Sequence, residues 1–178
     1  MLHNLELPYQ AVTSTDLYLT HYLNDSANDP VMNRIRAQKL RNSEEDKVKI
    51  FFVPSYLNGD DGVFNMPYYD LLVGMDLTAF PSYYEPWGYT PLESLAFKVP
   101  TITTTLAGFG LWVKEHYNMN HPGIEVIHRE DGDASNVATA IAEWVKNYTQ
   151  VGETEMQKDR DNAKDVSRIA LWDNLINY

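Results

Sequence analysis

Residues 77–97 read as a short strand, an aromatic turn and the opening of a helix. That order commits this part of the chain to an α/β unit. Leu77-Thr78-Ala79-Phe80 has the apolar character of a buried strand, and Pro81-Ser82 ends it. Pro86 bars the α region to its predecessor, so Glu85 is expected extended within the turn. Gly88 brings backbone freedom and room for a ligand to come close. Thr90 is the expected N-cap, Pro91 the first helical residue and Glu93 the third after the cap, with Leu95, Ala96 and Phe97 continuing the helix. The turn carries two carboxylates, Glu85 and Glu93 (93 − 85 = 8 positions apart). Glu93 can equally close a capping box. Glu85 has no capping role, and among aromatic neighbours its carboxylate needs solvent or a polar ligand. The helix start offers unpaired N–H groups and about half an elementary positive charge, a site suited to a pyrophosphate. Open parallel sheets hold ligands in the crevice beyond the carboxyl ends of their strands.

The remainder of the chain alternates in the same way. Strands are expected at Leu17–Thr20, Val48–Val53, Leu77–Phe80, Thr101–Thr104 and Ile124–Ile127. A helix opens at Asp29-Pro30 and runs to about Arg41, with Val31, Ile35 and Leu40 inward. Others are expected at Met66–Gly74, Thr90–Phe97 and Asn136–Tyr148, the last with Val137, Ala140, Ile141, Trp144, Val145 and Tyr148 on one face. Gly108 and Gly110 punctuate a loop, and Thr154–Ile176 reads as a closing helix. Strand–helix alternation implies a parallel sheet covered on both faces, a three-layer α/β/α Rossmann-like domain. The 178 residues fit one domain, 1–178, with 151–178 as its C-terminal helix.

Composition narrows the partners. Fourteen basic against 25 acidic residues give a net charge of −11, which argues against nucleic acid and against anionic membrane surfaces. No apolar run approaches the ~18 residues of a membrane span. Met1-Leu2-His3-Asn4-Leu5-Glu6 lacks the pattern of a signal peptide. Without cysteine there are no disulfides and no thiol chemistry, a composition suited to the cytoplasm. His116 and His121 are not a helical pair and lack a third ligand nearby, so no metal site is expected. Asp60 and Asp61, between Gly59 and Gly62, read as a solvated turn. Lys158, Arg160, Lys164 and Arg168 alternate with Asp159, Asp161 and Asp165, which reads as a solvated face with mutual charge pairing.

Phe80-Pro81-Ser82-Tyr83-Tyr84-Glu85-Pro86-Trp87-Gly88-Tyr89-Thr90-Pro91-Leu92-Glu93 closely resembles the donor-site turn of the eukaryotic-type glycogen synthases. These are retaining glycosyltransferases of family 3, with the two-Rossmann-domain GT-B architecture. The resemblance continues in Val99–Gly110, in Thr20-His21-Tyr22-Leu23 with Asp29-Pro30-Val31-Met32, and in Lys47–Phe52 and Tyr56-Leu57-Asn58. It covers residues 18 to 117 and is weaker on either side. It implies that Glu85 lies beside the anomeric carbon of a donor glucose and that Glu93 accepts hydrogen bonds from the nucleotide ribose. By the same resemblance, Gly88, Tyr89 and Thr90 offer donors to the pyrophosphate, and Tyr68 stacks on the base. Without the resemblance, Tyr68 is equally an ordinary aromatic at a helix start. His21, at a strand end, would face the crevice or serve as a hydrogen-bonded structural residue.

The implied reaction moves glucose from a nucleotide sugar to the non-reducing end of an α-1,4-glucan, with no resident cofactor. UDP-glucose is favoured as donor, and ADP-glucose remains open. The family's phosphate-gripping arginine and lysine segment has no counterpart here, nor has its N-terminal domain with the acceptor groove. The resemblance therefore implies a piece of a larger cytoplasmic enzyme, itself open to homo-oligomerisation. The piece alone is expected to be inactive and to bind nucleotide weakly. The family's arginine cluster for glucose 6-phosphate is also unmatched, so activation by that effector is not expected. Lys98 stands where related transferases have glycine. The alternative is a non-catalytic nucleotide- or carbohydrate-binding module. A flavodoxin-like phospho-acceptor domain fails, because Asp60-Asp61 falls in a loop and Pro81-Ser82 ends the central strand.

Overall fold

The computed structural model describes residues 19–117, 123–171 and 174. Where the sequence reads as one domain, the chain divides into two compact units, one ending at Met66 and the other beginning at Pro67.

The first unit is built around α1 (Pro30–Ala37). Asp29 caps it as the sequence requires, accepting from the Met32 N–H at 2.8 Å, with Pro30 at the first helical position. Met32 and Ile35 are buried against Leu19, Leu23, Ile50 and Phe52. Val31, expected inward, is exposed, and the helix stops at Ala37 rather than near Arg41. The expected strand at Val48–Val53 reduces to one parallel bridge between Leu19 and Phe52. Part of the reason is a side chain. Asn42 accepts from the Ile50 N–H at 2.9 Å and donates to the Ile50 carbonyl at 2.6 Å, taking both groups a ladder would use. Of the strand expected at Leu17–Thr20, Leu17 and Tyr18 lie outside the described residues. Asp61 is not a solvated residue. It is buried and accepts from the N–H groups of Val63, Phe64 and Asn65. Burial pushes its carboxyl up, but those three amides outweigh burial and hold it below the usual range.

The second unit is an open parallel sheet of three strands in the order β1-β2-β3, with helices on both faces, an α/β Rossmann-like fold. β1 (Thr78–Ala79), β2 (Thr101–Thr104) and β3 (Ile124–Ile127) pair with Ile102 opposite Ala79 and Glu125. Side chains alternate across a strand, so Ile124 and Val126 face one way and Ile127 the other. The first face is covered by α3 (Tyr89–Ala96), α4 (Gly108–His116) and α6 (Glu153–Ile169), which bring Leu95, Phe109, Val113, Ala163 and Val166 into one core. The second face carries Ile102 and Ile127 under α5 (Ala134–Tyr148), through Val137, Ala140, Ile141 and Trp144. Val145, expected on that face, is exposed. α2 (Tyr68–Leu72) is shorter than expected and leads into β1.

Three elements differ from the expectation. Gly108 and Gly110 open α4 rather than a loop. They are small because backbone passes close by. A Cβ at Gly108 would run into the Pro86 carbonyl oxygen, and one at Gly110 into that of Thr104. The closing helix expected over Thr154–Ile176 is interrupted: α6 ends at Ile169, capped by Ala170, and Leu171 is a bend, while Asn174 is helical again and Ile176 lies outside the described residues. Nor are the alternating charges of α6 one solvated face. Asp159 is buried, and Arg160 reaches off the helix to Asp76 and to the carbonyls of Met75 and Lys98. Lys158–Glu155 and Arg168–Asp165 do pair along the exposed surface.

Candidate functional site

Beyond Ala79 the chain keeps contact with β2 for one more residue, Phe80 donating to Ile102 O at 2.8 Å. The turn then crosses the carboxyl end of the sheet and is fastened to the β2–α4 connection. Glu85 N–H donates to Leu106 O at 3.0 Å, Gly108 N–H to Glu85 O at 3.1 Å and Phe109 N–H to Trp87 O at 2.7 Å. Glu85 pairs as a parallel bridge with Ala107. The turn is held from below as well. Ser82 O accepts from Thr104 Oγ1 at 2.8 Å and from Arg129 at 3.3 Å, and the Arg129 guanidinium lies 4.8 Å from the Tyr83 ring centroid. Arg129 also donates to Pro81 O at 2.6 Å.

Glu85 is half-buried in this turn, extended and outside the helix. Ser82 Oγ donates to its Oε2 at 3.1 Å. Gly88 caps α3 with φ +107°. A Cβ there would be 3.5 Å from Glu85 Oε2, which is ordinary contact, so the left-handed backbone rather than crowding demands glycine. Thr90 is therefore not the N-cap. It is the second residue of the helix, and no side chain caps that helix. Pro91 has no N–H, so the amides of Tyr89 and Thr90 are the donors this end presents. Both residues are exposed. The start of α4, behind Ala107, also lacks a side-chain cap.

The capping box fails with the cap. Glu93 lies too far into α3 to reach the N-cap N–H, and instead its Oε1 accepts from the Tyr69 hydroxyl at 3.0 Å. Tyr68, the first residue of α2, is half-buried. Burial pushes its phenol up, and the nearby Glu93 carboxylate pushes in the same direction. The fold thus brings Glu93 beside Tyr68, and Glu85 beside the Gly88 cap. Among the described residues neither carboxylate is ion-paired. Ser82, Tyr69 and Arg129 were not singled out from sequence. Arg129 follows β3 at the same carboxyl end where the turn lies, and that placement rule alone could have marked it.

Other candidates resolve as structure. Both ring nitrogens of His21 are engaged within the first unit, Nε2 with Asp61 O and Nδ1 with Thr20 Oγ1, each at 2.8 Å. His116 stacks on Trp112 and contacts its carbonyl, while His121 lies outside the described residues. Among the described residues no three His, Asp or Glu side chains gather as a metal site, and no helix is long and apolar enough to cross a membrane. Lys98 adopts φ +63° just past α3, where its N–H returns to Leu95 O and the Val99 N–H to Ser94 O. That is the position where glycine usually ends a helix. The Lys98 ammonium pairs with Asp161 at 2.8 Å.

Known proteins resemble this sequence over most of its length. A family model described as Glycogen synthase matches residues 10–178. The Glycogen [starch] synthase of Caenorhabditis elegans is 36% identical over 152 residues, covering 84% of this chain and 22% of that protein. Its Neurospora crassa counterpart is 34% identical over 155 residues, 86% of this chain and 22% of that protein. Isoform 1 from Saccharomyces cerevisiae is 32% identical over 157 residues, with the same two coverages. The chain thus spans about a fifth of the length of these relatives. The family match spans the turn, the sheet that carries it and the helices that flank it, and this chain belongs to the glycogen synthase family.

Proposed function

We propose that this chain supplies the nucleotide-sugar side of a retaining glucosyltransferase site within a longer, cytoplasmic glycogen synthase. In this reading glucose passes from UDP-glucose to the non-reducing end of an α-1,4-glucan, and the acceptor is held by parts of the enzyme beyond this chain. The observation that carries it is the turn at the carboxyl end of β1. There an extended carboxylate, a helix start without a side-chain cap and a second carboxylate one turn on all belong to one short segment.

Each part has a task. The amides of Tyr89 and Thr90, with the dipole of α3, meet the pyrophosphate, a role that matters because the chain is acidic overall. Glu85 faces the sugar and stabilises the positive charge that grows at the anomeric carbon as the bond to the leaving phosphate stretches. Ser82 keeps that carboxylate aimed. Glu93 accepts from the ribose hydroxyls, and Tyr68 offers a ring to the uracil. Helix amides supply hydrogen bonds without a full charge, so the isolated chain should bind nucleotide weakly.

A titration of the chain with UDP, and separately with ADP, followed by amide chemical shifts, tests the reading. Shifts at Tyr68, Gly88 and Tyr89 that vanish in Glu93→Ala are expected. Saturating nucleotide that moves none of these three removes the donor-site assignment.

A further inference from the structure

Tyr69 was not singled out from sequence, yet it holds one of the two site carboxylates. Its hydroxyl donates to Glu93 Oε1 at 3.0 Å. Its ring lies nearly parallel to Phe97, with centroids 5.0 Å apart and an interplanar angle of 16°. Glu93 and Phe97 are four positions apart on the chain, so they share one side of the helical turn and a single tyrosine reaches both. The neighbouring Tyr68 ring sits 5.3 Å away at 59°. Tyr69 is 43% exposed and Phe97 40%, while Tyr68 and Glu93 are half-buried. A partly exposed glutamate on a helix ordinarily samples several rotamers. Here one oxygen is fixed by a donor whose own ring is stacked. The hydrogen bond to Glu93 raises the Tyr69 phenol above its ordinary value, so the hydroxyl stays protonated through the neutral range. An ionised carboxylate has about four acceptor positions on two oxygens. Tyr69 occupies one of them, and among the described residues Oε2 takes no hydrogen bond.

We propose that Tyr69 is a positioning residue for ribose recognition. Seated on Phe97, it turns the Glu93 carboxylate so that Oε2 is open to a ribose hydroxyl, and it thereby sets the preference of the site for ribonucleotide over deoxyribonucleotide. The inference rests on Glu93 being the ribose acceptor. A tyrosine that merely clipped α2 to α3 would be indifferent to the 2′-hydroxyl.

The test titrates the chain with UDP and with 2′-deoxy-UDP, read at the amides of Gly88 and Tyr89, in the parent, Tyr69→Phe, Phe97→Leu and Glu93→Gln. Tyr69→Phe retains the stacked ring, and amide dispersion reports whether each variant is folded. The parent should prefer UDP, and Glu93→Gln should abolish the preference. Tyr69→Phe should narrow it by about 3- to 10-fold, the effect of one hydrogen bond, while affinity for 2′-deoxy-UDP changes less than about twofold. Phe97→Leu should fall between parent and Tyr69→Phe. A full preference for UDP in Tyr69→Phe overturns the inference and leaves the donor site standing. If the parent responds to neither nucleotide, the donor-site reading fails and this inference fails with it.

Discussion

Replacing Gly108 by alanine should unfasten the site from the sheet. The added methyl group would enter the Pro86 carbonyl oxygen, with the carbonyl carbon at 3.1 Å and Trp87 Cα at 3.3 Å. All three atoms are backbone, so no rotamer change relieves the clash. The turn must retreat by on the order of 1 Å, as overpacked backbones do. That movement breaks the bonds from Gly108 N–H to Glu85 O and from Phe109 N–H to Trp87 O. Two hydrogen bonds are worth about 2 kcal/mol net. Residual strain adds about 1–3 kcal/mol. Alanine is the better helix former by about 1 kcal/mol, so the net loss is about 2–4 kcal/mol. Urea unfolding followed by circular dichroism measures it, and with m of about 1–3 kcal/mol/M the midpoint should fall by about 1 M or more. Gly152→Ala is the control. No atom lies within 4 Å of its added methyl, and the change should stay within about 0.5 kcal/mol. A Gly108→Ala protein within about 0.5 kcal/mol of its parent would refute the close-approach argument.

Glu85→Ala, assayed in the complete enzyme to which we assign this chain, should lower turnover at least ~10²-fold, the effect of a lost electrostatic stabiliser. Near-normal turnover would mean that this carboxylate is remote from the chemistry. Lys98 pays left-handed strain of about 1–2 kcal/mol, so Lys98→Gly should be more stable than Lys98→Ala by about 1 kcal/mol in urea melts, since both lose the Asp161 contact. Equal midpoints would show that the backbone there is relaxed. Burial raises the Glu125 carboxyl, with Lys114 and Trp144 acting against it. A raised folded-state pKa gives stability that is present at low pH and lost as pH climbs through that pKa. Glu125→Gln should therefore raise the urea midpoint at pH 7 and give no gain at pH 4, whereas an equal gain at both would point to packing instead.

The strands of the second unit were legible where β-branched residues run together and are buried on both faces. Thr101–Thr104 and Ile124–Ile127 hold the bounds expected of them. α1 was legible at its start, because Asp29-Pro30 is a local signal, and not at its end, where nothing in the sequence halts it before Gln38. α4 was hidden by its glycines, which read as loop punctuation until the backbone passing beside them is seen. The cap of α3 was misread for a related reason. Thr90-Pro91 is a good start signal, but a left-handed Gly88 begins the helix earlier and frees Glu93 from capping. In the candidate site, Glu85 and Gly88 stood out through their neighbours in sequence. Tyr69 and Arg129 act across the fold, and no local pattern marks a partner 24 or 47 positions away, whereas Ser82 reaches Glu85 from only three positions back.

The covering of α3 by α6 has a bearing on how the protein is made. Leu95 shares its core with Ala163, Val166 and Ala170, and Arg160 of the same late helix fastens the loops at Met75 and Lys98. A growing polypeptide that has emerged only as far as β3 has synthesised the whole turn, yet the side of its helix that α6 covers still faces water. The candidate site should therefore mature late on the ribosome. Premature termination before α6 should yield a sticky product for chaperones to hold.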